Sequence, residues 1–425
     1  MKFLIFLFTL QIIFSYLQFP FTIKKNEKYN DPEAYIKQYQ HNNITITLSL
    51  GTPIQNLPIN LKLQKYPFFI SSYQTDLPIE KFNENKSSSF EEIEKKKTYE
   101  SEDFVSAFKA KDIFIINNKK NSIFKFILSF KESYELYYTG IIGLSYDTNN
   151  KDLIDYNFIH QLKENKIIEK EIFFLEYKDE FTGDFIIGQF PHEYNSNKYN
   201  KKKYKEIYPK IIDNRIQVIL NDISYGEHSI ERLIDCVFSY EISLLRGTSK
   251  YKEIVLNQFF NEYIKNNHCF NVTIGLLGAY IYYCDDTINI TKFKPLIITT
   301  YESNITFELN YNDLFIKKGK YYFFLCYFFK SMSSSFLLGK PFFKKYMVVF
   351  NKEKKNIGFY IDDKNSTGFF RKIFPWIIFI FFLAVIFYLA FYIYKSLGKI
   401  KKKKALELLE DENPDYKRMI DNSSI

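Results

Sequence analysis

Short runs of alternating apolar and polar residues, separated by turn residues, fill the chain from about residue 42 to residue 362. The run 44–50 has an apolar side chain at every second position and ends at Gly51, which predicts a strand with one buried face. Comparable runs predict strands at residues 112–116, 123–130, 173–177, 185–188, 216–220, 280–284 and 321–328. Helical spacing occurs only at residues 157–163 and 251–265. Many strands with few helices predict an all-β architecture.

The pattern of the first 17 residues predicts a targeting segment. One lysine precedes a largely apolar run without further charge, which is typical of a secretory signal peptide cut near residues 15–18. A buried N-terminal helix is the alternative interpretation of the same residues.

A second long apolar segment lies at residues 373–394. Its 22 residues carry no charge, and as a helix they would span about 30 Å of hydrocarbon. Trp376 and Tyr392 lie near its ends, and lysines are denser after the segment than before it. We therefore predict a transmembrane helix in a single-pass type I membrane protein, with its large domain lumenal or extracellular. Residues 363–372 would form a stalk and residues 395–425 a cytosolic tail.

The cytosolic tail contains one short pattern with a predicted partner. Tyr416 and Met419 have the tyrosine-x-x-apolar spacing whose two side chains, in an extended peptide, fill two pockets of a sorting adaptor. Such short patterns also arise by chance.

Composition and charge exclude several classes of function. Apolar residues make up 46% of the chain, so a large core is possible. The net charge of +9 is spread along the chain without the basic stripe of a nucleic-acid-binding module. The five histidines are scattered and no CxxC pair occurs, so neither a metal site nor a cofactor is predicted.

Cysteines and asparagines fit the predicted lumenal location. An even number of cysteines, four, predicts two disulfides in an oxidising compartment. Asn-x-Ser/Thr triplets predict glycans at Asn43, Asn85, Asn271, Asn289, Asn304 and Asn365.

Several motifs, in a consistent order, resemble those of the pepsin-like aspartic proteases (peptidase A1). Residues 50–55, LGTPIQ, are similar to the family's GTPxQ hairpin, and residues 139–146, TGIIGLSY, to its DGILGLGY. Further matches are NFIHQLK at 157–163, GDFIIG at 183–188, SLLRG at 243–247, SFLLGKPFF at 335–343, YMVVFN at 346–351 and IGFY at 357–360.

The resemblance implies a bilobal all-β fold with a peptide-binding cleft between the lobes. The first lobe would cover residues 42–193 and the second residues 205–362, with the boundary in the Asn- and Lys-rich segment 194–205. It also implies glycines where strands cross closely, and a disulfide between Cys284 and Cys326, which leaves Cys236 and Cys269 as the second pair.

The catalytic residues of that family are missing. Its members activate a water between two aspartates that share one proton, each aspartate coming from an Asp-Thr/Ser-Gly turn. No such triplet occurs in this chain. Counting from the neighbouring motifs places Lys62-Leu63-Gln64 at the first triplet and Ser239-Tyr240-Glu241 at the second. Tyr99 corresponds to the tyrosine of the flap, but acidic residues replace the flap's glycine-rich tip.

Three hypotheses of function follow. The first is a pseudoprotease, a membrane-anchored protein that binds a peptide or protein in its cleft without cutting it. The second is an active aspartic endopeptidase with a rewired site that uses Asp235, which a gapped alignment brings to the second catalytic position. The third is a structural coat protein whose cleft is filled by its own side chains.

The charge of Lys62 leads to a geometric prediction. Equivalent triplets face each other in the pepsin-like fold, and Glu241 is the one acid in either replaced triplet. We predict that Glu241 neutralises Lys62 across the lobe boundary, since an unpaired ammonium in a cleft floor loses hydration. The alternative is that Lys62 extends along the cleft wall into solvent.

Overall fold

The computed structural model describes residues 16–24, 43–63, 67–75, 80–93, 104–116, 120–132, 139–146, 151–212, 215–274, 278–330, 333–361, 382 and 384–405. The strands of the first half are β1 (Leu17–Ile23), β2 (Ile44–Leu50), β3 (Gln55–Lys62), β4 (Phe69–Ser71), β5 (Glu91–Glu92), β6 (Phe104–Ile116), β7 (Lys120–Glu132), β8 (Gly140–Gly143), β9 (Ile172–Tyr177) and β10 (Thr182–Ile187). Those of the second half are β11 (Tyr204–Ile207), β12 (Lys210–Ile212), β13 (Arg215–Tyr225), β14 (His228–Phe238), β15 (Leu245–Arg246), β16 (Cys269–Ile274), β17 (Ala279–Asp285), β18 (Leu296–Thr300), β19 (Thr306–Leu309), β20 (Phe315–Lys318), β21 (Tyr321–Phe329), β22 (Phe336–Leu338), β23 (Val348–Asn351) and β24 (Asn356–Tyr360).

Helices are short and sit between the strands. The α-helices are α1 (Phe158–Glu164), α2 (Pro191–Tyr194), α3 (Ser249–Val255), α4 (Asn261–Lys265), α5 (Tyr311–Leu314) and α6 (Lys340–Lys345). A π-helical segment, Leu256–Phe260, joins α3 to α4. Short 3₁₀ helices occur at Glu84–Lys86, Lys151–Tyr156, Lys201–Lys203 and Ile290–Lys292.

The apolar positions that alternate with polar ones in the sequence are the buried positions of the strands. In β2 the four apolar side chains are at most 2% exposed, while the threonines and the serine between them point the other way. Every strand run predicted from the sequence falls on a strand, and both predicted helices are present. The predicted all-β architecture is therefore confirmed within the described residues.

The strands form two large sheets. The first runs in the order β11-β24-β23-β9-β10-β1-β2-β3-β8-β4-β7-β6-β5. The second runs β16-β17-β21-β15-β22-β14-β13-β18-β19, with β12 paired to β13 and β20 to β21. Their inner faces are packed with phenylalanine. In the first half, for example, the ring of Phe158 in α1 lies 5.4 Å from that of Phe68 and 5.5 Å from that of Phe114.

Strands from both predicted lobe ranges share the first sheet. β23 from the end of the domain pairs with β9, and β11 pairs with β24. β1, which precedes the predicted start at residue 42, inserts between β10 and β2. Thus the segment 194–205 connects the two halves along the chain, but hydrogen-bonded strands also join them through the sheet.

One disulfide prediction is wrong. Cys284 is bonded to Cys269, and Cys236 and Cys326 are free and buried. Strand register explains the difference. Cys269 lies directly opposite Cys284 in the β16–β17 pair, whereas β21 places Tyr322, four residues before Cys326, opposite Cys284. Four residues along a strand correspond to about 13 Å, beyond the reach of a disulfide.

The remaining pairing, Cys236 with Cys269, is wrong for a similar reason. Four strands lie between β14, which carries Cys236, and β16, which carries Cys269. Burial raises the pKa of the Cys236 thiol far above its ordinary range, so this thiol stays protonated and unreactive.

Several predicted segments lie wholly or partly outside the described residues. They are residues 1–15 of the signal, the stalk at 363–372, residues 373–381 and 383 of the predicted membrane helix, and the tail beyond residue 405, with Tyr416 and Met419. Residues 384–405 are helical. No helix among the described residues is long and apolar enough to cross a membrane.

Candidate functional site

Corresponding strands of the two sheets bring the replaced triplets to equivalent positions. β3 pairs in parallel with β8, so that Lys62 lies opposite Gly143. β14 pairs in parallel with β22 up to Phe238 and Leu338, so that the next residues along, Ser239 and Gly339, are the corresponding positions. Both triplets therefore begin where a strand ends beside a glycine, as the alignment without gaps predicted.

Close backbone approach makes a glycine necessary at Gly339. A Cβ built on Gly339 would lie 2.0 Å from the carbonyl oxygen of Leu244 and 2.6 Å from that of Ile242. Backbone atoms at that distance cannot move aside without breaking the loop that follows β14. The glycine thus allows α6 to begin directly against the loop that carries Glu241, where the N–H of Lys340 donates to the carbonyl oxygen of Ile242 at 2.9 Å.

Glu241 contacts the first triplet through both of its carboxylate oxygens. Oε2 lies 3.4 Å from Nζ of Lys62, and Oε1 accepts a hydrogen bond of 2.6 Å from the backbone N–H of Leu63. The side chain of Lys62 is 16% exposed and that of Glu241 8%, so solvent screens the pair only weakly. The ion pair predicted from the sequence is therefore present. The hydrogen bond to Leu63 was not predicted, because sequence comparison does not show where backbone donors point.

The other two residues of the second triplet differ in exposure. Ser239 is half-buried, and its N–H donates to the carbonyl oxygen of Leu338. Tyr240 is fully buried, and its ring packs edge-on against Phe343. Burial, together with the negative charge of Glu241, holds the pKa of the Tyr240 hydroxyl well above its ordinary value, so Tyr240 is neutral at physiological pH.

Asp235, the alternative catalytic residue, lies inside β14. It pairs with Ile219 of β13, four residues before Ser239, and its side chain is exposed. Two of the other predicted cleft and flap residues, Gln64 and Tyr99, lie outside the described residues.

Among the predicted glycan sites, Asn85, Asn271, Asn289 and Asn304 are exposed, Asn43 is half-buried, and Asn365 lies outside the described residues.

The chemistry open to this arrangement is limited. A shared-proton dyad needs two carboxylates, and the paired triplet positions hold one carboxylate facing an ammonium. A serine and a lysine can also form a nucleophile and base, but the lysine must then be neutral. The carboxylate of Glu241 stabilises the charged form of Lys62 and so opposes that role. What the geometry provides is a link between the two halves of the domain.

Sequence reasoning missed a second group of polar residues close to this loop. Lys340 and Ser243 are 4% and 5% exposed, and both line an open cavity of about 680 Å³. One signal was present in the sequence, a lysine within the apolar motif SFLLGKPFF, but in a lysine-rich chain that signal is weak.

Comparison with known proteins agrees with this geometry. No curated protein matches the chain. The family model described as eukaryotic aspartyl protease matches residues 45–360, which comprise most of the chain and nearly all the strands of both sheets. The chain therefore belongs to the eukaryotic aspartyl protease family.

Proposed function

We propose that this protein is a membrane-anchored pseudoprotease, whose interlobe cleft binds a peptide or protein without cleaving it. The observation that supports the proposal is the contact between the replaced triplets. Lys62 Nζ lies 3.4 Å from Glu241, at positions where the family requires two carboxylates. The exposed position of Asp235 within β14 gives no support to the rewired endopeptidase, since Asp235 has no partner carboxylate in either triplet other than Glu241, which is engaged with Lys62.

The absence of catalysis can be tested with the purified full-length protein. We expect no hydrolysis of an unfolded protein substrate at acidic or neutral pH, and the same result for Lys62→Ala. Cleavage that a pepstatin-type inhibitor blocks would contradict the proposal. If that cleavage were also lost in Asp235→Asn but kept in Asp222→Asn, the result would support an active endopeptidase that uses Asp235.

Peptide binding needs a separate test. A library of short peptides carrying a photoreactive group should crosslink to residues near 62–63 and 239–241. Ser239→Trp should prevent this crosslinking, because a large ring at that half-buried position takes up space at the start of the triplet whose Glu241 contacts Lys62. Ser303→Trp, on an exposed turn, is the matched control. Crosslinking that is unchanged by Ser239→Trp, or absent from the wild-type protein, would contradict cleft binding, and absence would favour a structural coat protein.

Membrane anchoring rests on the uncharged segment 373–394 and the lysines that follow it. We expect the protein to stay with membranes after alkaline extraction and to be released by detergent. Deletion of residues 373–394 should release it, and glycosidase treatment should increase its gel mobility. Release of the intact protein by alkali alone would contradict the anchor.

A further inference from the structure

A cavity lies next to the loop that carries Glu241 but is distinct from the contact between the triplets. Ser243 of that loop, Lys340 and Lys344 of α6, and Glu180 of the β9–β10 turn contribute polar groups to its wall. Phe315, Ile316, Leu325 and Pro341 supply apolar surface. Of its volume of about 680 Å³, which includes the open mouth, about 230 Å³ is accessible to a water-sized molecule, which suits a ligand smaller than a drug-sized molecule.

Two buried polar groups line this cavity without a polar partner. Nζ of Lys340 lies 5.3 Å from the centre of the Phe181 ring, but no carboxylate, carbonyl or hydroxyl among the described residues pairs with it or accepts its hydrogen bond. The hydroxyl of Ser243 likewise has no hydrogen-bond partner in the described part of the chain. Both side chains are buried as a whole, but their polar atoms are open to the cavity, so each can donate to an acceptor that enters it.

The charges around the cavity limit which acceptor fits. Glu180 at the rim pairs with Lys318 at 3.4 Å, and Asp313 pairs with Lys345 at 2.5 Å. The lining thus carries three lysines against two carboxylates, a net charge of +1, which matches one negative charge better than the two of a phosphate. A single negative charge can approach Lys340, and the apolar walls favour a ligand whose remaining surface is apolar.

We propose that this cavity binds a monocarboxylate with an apolar body, with its carboxylate on the ammonium of Lys340 and the hydroxyl of Ser243. Both a free organic acid and the C-terminal carboxylate of a peptide ending in an apolar residue have this chemistry. The proposal does not depend on peptide binding in the cleft. Because Ser243 is two residues from Glu241, a bound carboxylate would also contact the loop that links the two halves.

Burial explains why an anion would be favoured here. It lowers the pKa of Lys340 to about 8, and the charges that face this lysine come from Glu180 and Asp179 of the β9–β10 turn, Lys318 of β20 and Lys344 of α6. A bound carboxylate would offset the unfavourable burial of the ammonium.

Calorimetric titration of the full-length protein tests the proposal, with 3-phenylpropionate as the free acid and N-acetyl-alanyl-phenylalanine as the peptide terminus. The corresponding amides of both compounds serve as uncharged controls. We expect at least one acid to bind and its amide to bind about tenfold more weakly or not at all, because a charge-assisted hydrogen bond is lost. The acid that binds more tightly shows whether the cavity prefers a free organic acid or the C-terminal carboxylate of a peptide.

Variants locate the site. Lys340→Met should weaken acid binding by about tenfold or more, Lys340→Arg should retain it, and Lys250→Met, at an exposed lysine elsewhere, should leave it unchanged. Affinity should fall as pH rises through about 8 in the wild-type protein but not in Lys340→Arg, since arginine stays charged. Equal binding of acid and amide to the wild-type protein, no binding of either acid, or undiminished binding to Lys340→Met would each overturn the proposal.

Discussion

At the scale of single residues, one carboxylate makes two contacts between the triplets where the family has its catalytic aspartates. Glu241 contacts the ammonium of Lys62 and the backbone N–H of Leu63, and these two interactions can be separated by mutation. Glutamine at position 241 keeps an oxygen that can accept from Leu63 but lacks the charge. Alanine removes both contacts, so its effect should be the larger.

The coupling between Lys62 and Glu241 can therefore be measured. In a double-mutant cycle of Lys62→Met and Glu241→Gln, we expect a coupling free energy on the order of 1–2 kcal/mol from chemical denaturation, because the pair is mostly buried. The matched control is Lys125 with Asp155, whose side chains are 41% and 55% exposed and whose coupling should be at most a few tenths of a kcal/mol. Equal coupling in the two cycles would show that the interlobe pair adds no more than a surface ion pair.

Lys340 gives a prediction with a defined pH window. Its pKa is about 8 in the folded protein and ordinarily 10.5, so between these values the unfolded chain binds more protons than the folded one. The contribution of Lys340 to the free energy of unfolding therefore rises as pH increases through about 8, and the penalty below that pH is on the order of 3 kcal/mol.

Replacing Lys340 by methionine should remove this penalty. We expect Lys340→Met to raise the free energy of unfolding at neutral pH and to lose the increase that the wild-type protein shows above about pH 8. Urea denaturation at a series of pH values measures both effects. Lys250→Met should behave as the wild-type protein, since that lysine is 68% exposed. A variant that is less stable than the wild-type protein at neutral pH would contradict the prediction.

At the scale of elements, strand register decides which cysteines can bond. The bond between Cys269 and Cys284 links neighbouring strands of one hairpin and has a sequence separation of 15. Cys326 lies on β21, which pairs with β17, but four residues beyond Tyr322, the residue opposite Cys284, and that offset is too long for a disulfide.

Peptide mapping without reduction should recover one linked pair, 269 with 284. Cys284→Ser should lower the free energy of unfolding by about 3 kcal/mol, the value expected for closing a loop of this length. Cys326→Ala should leave the map unchanged, although it creates a small cavity in the core. A peptide that joins Cys284 to Cys326 would contradict the register described above.

At the scale of the whole domain, the connection between the halves is a sheet rather than a flexible linker. β23 pairs with β9, Lys163 forms a 2.6 Å ion pair with Glu353, and the hydroxyl of Tyr146 donates to the carbonyl oxygen of Asn356 at 2.6 Å. These contacts all join residues of the first half to the last strands of the domain.

Cutting the chain between the halves should therefore leave them together. A protease site inserted between Ser196 and Asn197, which are exposed, should be cleaved in the native protein. We expect the two fragments to elute as one particle in size-exclusion chromatography and to separate only in denaturant. Separation under native conditions would show that the shared sheet does not hold the halves together.

The sequence by itself determined the class of fold and the two positions at which other residues replace the family's catalytic aspartates. Period-two alternation, as in β2, follows directly from a strand with one buried face, so it predicts strands wherever it occurs. The motif order also placed Lys62 and Ser239 at corresponding positions, because each lies a fixed number of residues from a glycine-containing turn. Such spacings are local, so they can be counted directly along the sequence.

Only the tertiary structure decided which distant residues meet. The bond of Cys284 to Cys269 depends on the register between strands, and the sequence carries no direct record of register. The hydrogen bond from Leu63 to Glu241 joins residues 178 positions apart. Lys340 lies beside Ser243 in one cavity wall because α6 packs against the loop after β14. Contacts of this kind depend on how separate elements pack, and no local pattern specifies that packing.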